Sequence, residues 1–299
     1  LVPRDIATRE IFSVCVDMCL GVSGENMVYL DLSHKDPKEL DVKLGGIIEI
    51  YEKFMGDDPR KIPMKIFPAV HYSMGGMWVD YNQMTNIPGL FAAGECEYQY
   101  HGANRLGANS LVSAIYGGMV AGPKAVEYIK GLKKSSADVN SSVFDGYTKR
   151  QSDKYESIMK MQGSENAYVI HKELGEWMTA NMTVVRYNDK LEATIGKIKE
   201  LKERYGKINM YDTSGWNNPG AAFTRQLWNM LELAEAMTLG ALLRNESRGA
   251  HYKPEFTERN DEEFLKTTIA SWSKEGPQIS YEPVDVSLIP PRIRDYSKD

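Results

Sequence analysis

Four long stretches, 144–161, 166–182, 191–205 and 223–244, carry apolar residues at intervals of three and four, and they limit the fold of this chain more than any other feature. A helix with one apolar stripe is stable only when that stripe is covered, so these four are expected to pack side by side as a helical unit. The polar, serine-rich run 133–142 ahead of them reads as a domain boundary. The first half has a different texture. Residues 5–20 and 37–54 have the spacing of amphipathic helices, and 27–32 reads as a short strand. Residues 65–87 are β-like and glycine-punctuated, 89–93 form a short apolar run, and 110–122, apolar nearly all round, predicts a buried helix. At 264–284, alternation on both sides of Gly276-Pro277 predicts a hairpin. The expected class is α+β.

Composition narrows the function. The 299 residues contain 36 Lys plus Arg against 41 Asp plus Glu, so a net charge of -5 offers no general attraction to nucleic acid or anionic lipid. The three cysteines, Cys15, Cys19 and Cys96, form neither a disulfide framework nor a zinc motif, which points to a reducing compartment and no metal site. The longest apolar run, 111–121, is too short to span a bilayer, so membrane contact is expected to go through partners.

The chemistry is concentrated between His71 and Leu111. Glycines at 102 and 107, flanked by Asn104 and Asn109, allow positive backbone dihedrals and a close approach of main-chain N–H groups to a ligand. This loop runs straight into a helix for which Ser110 is the expected N-cap, and a helix N-terminus favours an anion. The same pattern also fits an ordinary capped loop. Glu95, at the end of the 89–93 run, is read either as a carboxylate for sugar hydroxyls or as a solvated turn residue. Arg105 can clamp a carboxylate through two parallel hydrogen bonds, and His71 and Arg4 add positive or donor groups against the negative net charge.

Together these residues resemble a known family. His71-Tyr72-Ser73-Met74-Gly75-Gly76, Gly94-Glu95 and His101-Gly102-Ala103-Asn104-Arg105-Leu106-Gly107-Ala108-Asn109-Ser110-Leu111 look like the flavoprotein subunit of succinate dehydrogenase and fumarate reductase. Pro3-Arg4-Asp5 is similar to that family's catalytic arginine motif, and Glu246-Ser247-Arg248-Gly249-Ala250-His251 to its later signature. The resemblance implies a FAD enzyme oxidising succinate to fumarate. Arg4 would be catalytic, His71 and Arg105 would hold the substrate carboxylates, and Glu95, Asn109, Ser110 and Leu111 would contact FAD. It further implies an iron-sulfur subunit and a membrane-anchor cytochrome b subunit as partners, at the cytoplasmic face of the cell membrane. Fumarate reductase and L-aspartate oxidase are sibling alternatives, and a non-catalytic helical docking module is the alternative of another class.

No GxG pair occurs in the chain, so the dinucleotide fingerprint expected to open such a flavoprotein is absent from it. The family's upstream flavin-attaching histidine and Thr-Glu substrate residues are absent too. The implied fold is therefore an α+β fragment: a partial capping domain (1–66), the C-terminal part of a FAD-binding domain (67–132), a helical domain (133–249) and a tail with a hairpin (250–299). Such a fragment alone is expected to be colourless and inactive.

Overall fold

A computed structural model describes residues 4–292, with a first compact unit ending at His71 and a second running from Tyr72 to Arg292. In the first unit, helix α1 covers Arg4–Phe12. The helix expected to continue to residue 20 widens instead into a five-residue-spaced turn over Ser13–Asp17, and Cys19 lies at φ +55°. Helix α2, Pro37–Met55, has strong signals at both ends: the Asp36 carboxylate accepts from the Lys38 N–H at 3.0 Å, Pro37 opens the first turn, and Gly56 closes it at φ +80°. Strand β1, Val28–Leu30, pairs antiparallel with β2, Met64–Ile66, placing Val28 opposite Ile66. Phe12, Cys15, Leu40, Ile48 and Met64 are the buried apolar residues of this unit.

The second unit opens irregularly. The β-like run 65–87 yields β2 and isolated bridges, among them Val79 opposite Thr85 and Met84 opposite Phe91, and the short apolar run 89–93 enters no strand beyond that last bridge. Gly89 at φ +85° and Gly94 at φ +89° turn the chain at both ends of it, so no ladder can propagate. Helix α3 follows at Asn109–Gly131. It is not the buried helix that its composition predicts. Ser113 and Gly117 are its buried residues, whereas Leu111, Ile115, Met119 and Ile129 are 73%, 63%, 69% and 64% exposed. This unit covers α3 on one side only, where Gly117 lets the helix approach so closely that a Cβ there would lie 3.4 Å from that of Ala93.

The helical elements match their periodicity. They are α4 (Ser141–Met159), α5 (Ala167–Met178), α6 (Asn188–Tyr205) and α7 (Pro219–Leu243). Asn140, Asn166 and Asn218 cap α4, α5 and α7, each side-chain oxygen accepting a main-chain N–H of the first turn. Ile158, Ile170, Ile198, Leu201, Leu227 and Leu231 fill one shared core, to which α7 contributes at spacings of three and four. After the short helix α8 (Asp261–Phe264), strands β3 (Lys266–Ser271) and β4 (Gln278–Pro283) form the predicted hairpin, with Ile269 opposite Ser280. The hairpin packs against α7, and Trp78 Nε1 ties it to the irregular segment by donating to Glu282 at 2.8 Å. No helix among the described residues is long and apolar enough to cross a membrane.

Candidate functional site

The segment Tyr72–Met74 gathers the chemistry-bearing groups of the second unit. The main-chain N–H of Ser73 donates to Glu95 Oε1 at 2.8 Å, and that of Arg105 donates to Met74 Sδ at 2.9 Å. The Arg105 guanidinium stacks over the Tyr72 ring, 4.9 Å from its centroid, and its own hydrogen bond goes to the Leu106 carbonyl at 3.2 Å. No carboxylate among the described residues pairs with it. A guanidinium braced on an aromatic face, with one long hydrogen bond from Nη1 to a main-chain carbonyl and no carboxylate partner, is prepared to receive an external carboxylate.

His101 stands edge-on to Tyr72, with ring centroids 5.2 Å apart. Its Nε2 lies 3.0 Å from Ser113 Oγ and 3.3 Å from the Tyr72 hydroxyl. Ser113 Oγ donates to the Ser110 carbonyl at 2.9 Å, so it receives the Nε2–H of His101, which fixes the tautomer. Burial, and then the nearby Arg105 charge, lower the His101 pKa below its usual value, favouring the neutral ring. His101 therefore orients Tyr72 without adding charge beside Arg105.

Helix α3 begins two residues earlier than an N-cap at Ser110 would place it. Its N-cap is Ala108, in the left-handed region at φ +63° with no side-chain cap, and Ser110 is the second helical residue. A serine hydroxyl was the expected cap, but the tight turn at 107–108 brings the chain into helical dihedrals before Ser110 is reached. The N–H groups of Asn109, Ser110 and Leu111 have no acceptor within the helix. That of Asn109 reaches the Leu106 carbonyl at 3.3 Å, leaving the other two at the helix mouth. A cleft of about 380 Å³ opens there, lined by Tyr100, His101, Asn104, Leu106, Asn109, Val112, Ser113 and Tyr116.

Of the residues singled out from sequence, Glu95, Arg105, Asn109, Ser110 and Leu111 lie in the second unit around the Tyr72–Met74 segment and the mouth of α3. Arg4, the exposed first residue of α1, and His71, also exposed, belong to the first unit. Sequence reasoning overlooked Tyr72, Met74 and His101 as individual contributors. All three stand inside quoted motifs, but only tertiary contact distinguishes a residue that braces from one that fills a loop. Among the described residues, no group of three His, Cys, Asp or Glu side chains is arranged to hold a metal ion.

The later motif, Glu246–His251, packs behind the loop. Its His251 Nδ1 accepts from the Arg186 guanidinium while Nε2 donates to the Arg244 carbonyl at 2.9 Å. Burial, and then the Arg186 charge, push the His251 pKa down to about 3 from an ordinary 6.5. Between those values the unfolded chain binds a proton that the folded one refuses, so stability falls as pH drops through this window. The slope from this residue is at most about 1.4 kcal/mol per pH unit. Chemical unfolding from pH 6.5 to 4 should show a shallower loss for His251→Gln than for the parent chain, and equal slopes would remove His251 as the cause.

Two family models match the chain: one described as FAD binding domain over residues 1–111, the other as fumarate reductase flavoprotein C-term over 171–296. The succinate dehydrogenase flavoprotein subunit of Bacillus subtilis is 72% identical across 100% of this chain and 51% of its own length. The fumarate reductase flavoprotein subunit of Haemophilus influenzae is 37% identical over 92% of this chain and 46% of its own. A solved E. coli quinol fumarate reductase superposes with a TM-score of 0.90 at 33% identity, over 97% of this chain and 50% of that one. The chain thus spans about half the length of the curated relatives it matches. With both family models and a full-length match to this chain in agreement, it belongs to the succinate dehydrogenase and fumarate reductase flavoprotein family.

Proposed function

We propose that this chain is part of a FAD-dependent succinate dehydrogenase flavoprotein subunit, oxidising succinate to fumarate, in which residues 1–66 belong to the capping domain, 67–132 to the FAD-binding domain, 133–249 to the helical domain and 250–299 to the tail. The observation that carries the reading is Arg105, a guanidinium stacked on Tyr72 at 4.9 Å with no carboxylate partner among the described residues. Its planar fork suits one carboxylate of a small dicarboxylate.

The mouth of α3 suits FAD. Its unpaired N–H groups and partial positive charge favour an electron-rich ring edge, and Tyr100, Val112 and Tyr116 give the adjoining cleft apolar walls. Asn109, Ser110 and Leu111 would hold the group there, and Glu95, whose Oε2 has no partner among the described residues, would accept from its sugar hydroxyls. FAD, when bound, supplies the two-electron acceptor. Arg105 and His71 would each hold a substrate carboxylate. Arg4 would exchange the proton on the carbon opposite the hydride, acting within a relay and through its field, because a guanidinium gives up a proton only reluctantly.

Electrons would leave through an iron-sulfur subunit to a membrane-anchor cytochrome b subunit, holding the protein peripherally at the cytoplasmic face of the cell membrane. The test is the full-length flavoprotein assembled with its iron-sulfur subunit. Succinate should reduce an artificial acceptor and L-aspartate should do so far more slowly. A preparation without flavin, or one preferring L-aspartate, overturns the reading.

A further inference from the structure

We propose that the turn Arg248–His251, with Gly249 at its apex, is a positioning element that sets where Arg105 presents its guanidinium. The inference rests on the reading that Arg105 receives a substrate carboxylate. The Arg105 loop does little to hold itself: Asn104 N–H reaches the His101 carbonyl, and Asn109 N–H the Leu106 carbonyl, both at a long 3.3 Å. The Arg105 N–H is given to a thioether, a weak acceptor. The firmest main-chain tie comes from outside the loop, where the Ala250 N–H donates to the Ala103 carbonyl at 2.9 Å, two residues before Arg105.

Gly249 makes that tie possible. Its φ is +60°, and a Cβ built on it would fall 2.4 Å from the Ala103 oxygen, 2.7 Å from the Ala103 carbonyl carbon and 2.9 Å from Asn104 Cβ. Two of these atoms are main chain and the third is a Cβ, so no side-chain rotation relieves the contact. The turn cannot easily retreat either. Arg248 N–H donates to the His251 carbonyl at 2.7 Å and His251 N–H returns to the Arg248 carbonyl at 3.0 Å. The Arg248 guanidinium is fixed by Glu246 at 2.8 and 2.9 Å and by Asp261 at 2.7 Å. Between a rigid brace and a loosely tied loop, the loop moves. Reaching an ordinary 3.4 Å contact from 2.4 Å shifts Ala103 by about 1 Å.

The experiment uses Gly249→Ala in the full-length flavoprotein assembled with its partner subunits, read by flavin content, thermal unfolding, kcat and KM for succinate, and the Kd for malonate from the flavin spectrum. The expected result is retained flavin and an unfolding midpoint lowered by a few degrees, the cost of an alanine at φ +60°, with kcat/KM lowered by about 100-fold and malonate binding weakened in the same direction. Ala250→Pro, which replaces the N–H given to Ala103 by a ring carbon directed at the same carbonyl, should shift malonate binding the same way. Flavin-loaded variants with parental malonate affinity overturn the inference and leave the functional reading standing, whereas a parent enzyme that binds no malonate overturns both. If neither variant assembles, amide exchange in the parent decides: malonate should slow exchange at Ala250 together with residues 105–108, and unchanged exchange at Ala250 overturns the proposal.

Discussion

Arg105→Ala in the full-length enzyme is expected to lower kcat/KM for succinate on the order of 10³-fold while flavin remains bound. The guanidinium has no internal carboxylate to leave behind, so its removal strands no buried partner and the fold has little to lose. What is lost is the fork that would take both oxygens of a carboxylate and the flat cation resting on Tyr72 at 4.9 Å. Arg105→Lys separates charge from shape. An ammonium keeps the charge but offers a single point without the parallel pair of N–H groups or the stacking, so it should recover only part of the loss. Steady-state turnover and malonate affinity of both variants are the measurements. Unchanged turnover in the alanine variant would restore the alternative in which this chain is a docking module without catalytic duty.

The parts of the fold that could be read from sequence are those decided within a few residues. Asp36, Pro37 and Gly56 mark both ends of α2 by local capping alone, and the spacing of Leu227, Leu231 and Ala234 shows which face of α7 enters the core. Alternation around Gly276 set the hairpin in the same way. Helix α3 misled because an apolar helix reveals that it needs cover but not where the cover comes from, and this unit supplies it only along the Ser113–Gly117 side. The start of α3 misled for a second reason: Ala108 occupies a left-handed conformation that alanine seldom adopts, and no side-chain signal announces it. At the candidate site, motif spacing singled out Arg105 and Glu95, both of which contact the Tyr72–Met74 segment. It was silent on the roles of Tyr72, Met74 and His101, because a ring under a guanidinium and a thioether beneath an amide are contacts across about thirty residues of chain.

Glu246→Ala is expected to destabilise the protein by about 3–5 kcal/mol, a substantial share of the 5–15 kcal/mol typical of a folded domain. The Glu246 side chain is fully buried, and donors occupy both of its oxygens. Oε1 accepts from Arg244 Nη1 at 2.5 Å and Arg248 Nε at 2.8 Å, while Oε2 accepts from Arg248 Nη2 at 2.9 Å and the Asn260 N–H at 3.0 Å. Alanine leaves two guanidinium groups facing a void with half of their compensation removed; Arg248 keeps Asp261 at 2.7 Å, and Arg244 keeps the Phe264 carbonyl at 2.9 Å. Those remaining partners keep the cost finite. Glu246→Gln is not a mild substitute here, because whichever oxygen becomes an NH₂ group then points a donor at two donors. Its loss should therefore approach that of alanine instead of falling midway. Urea unfolding of the three proteins is the measurement. A glutamine variant within about 0.5 kcal/mol of the parent, the usual spread for surface changes, would mean that the carboxylate charge does not hold this corner together.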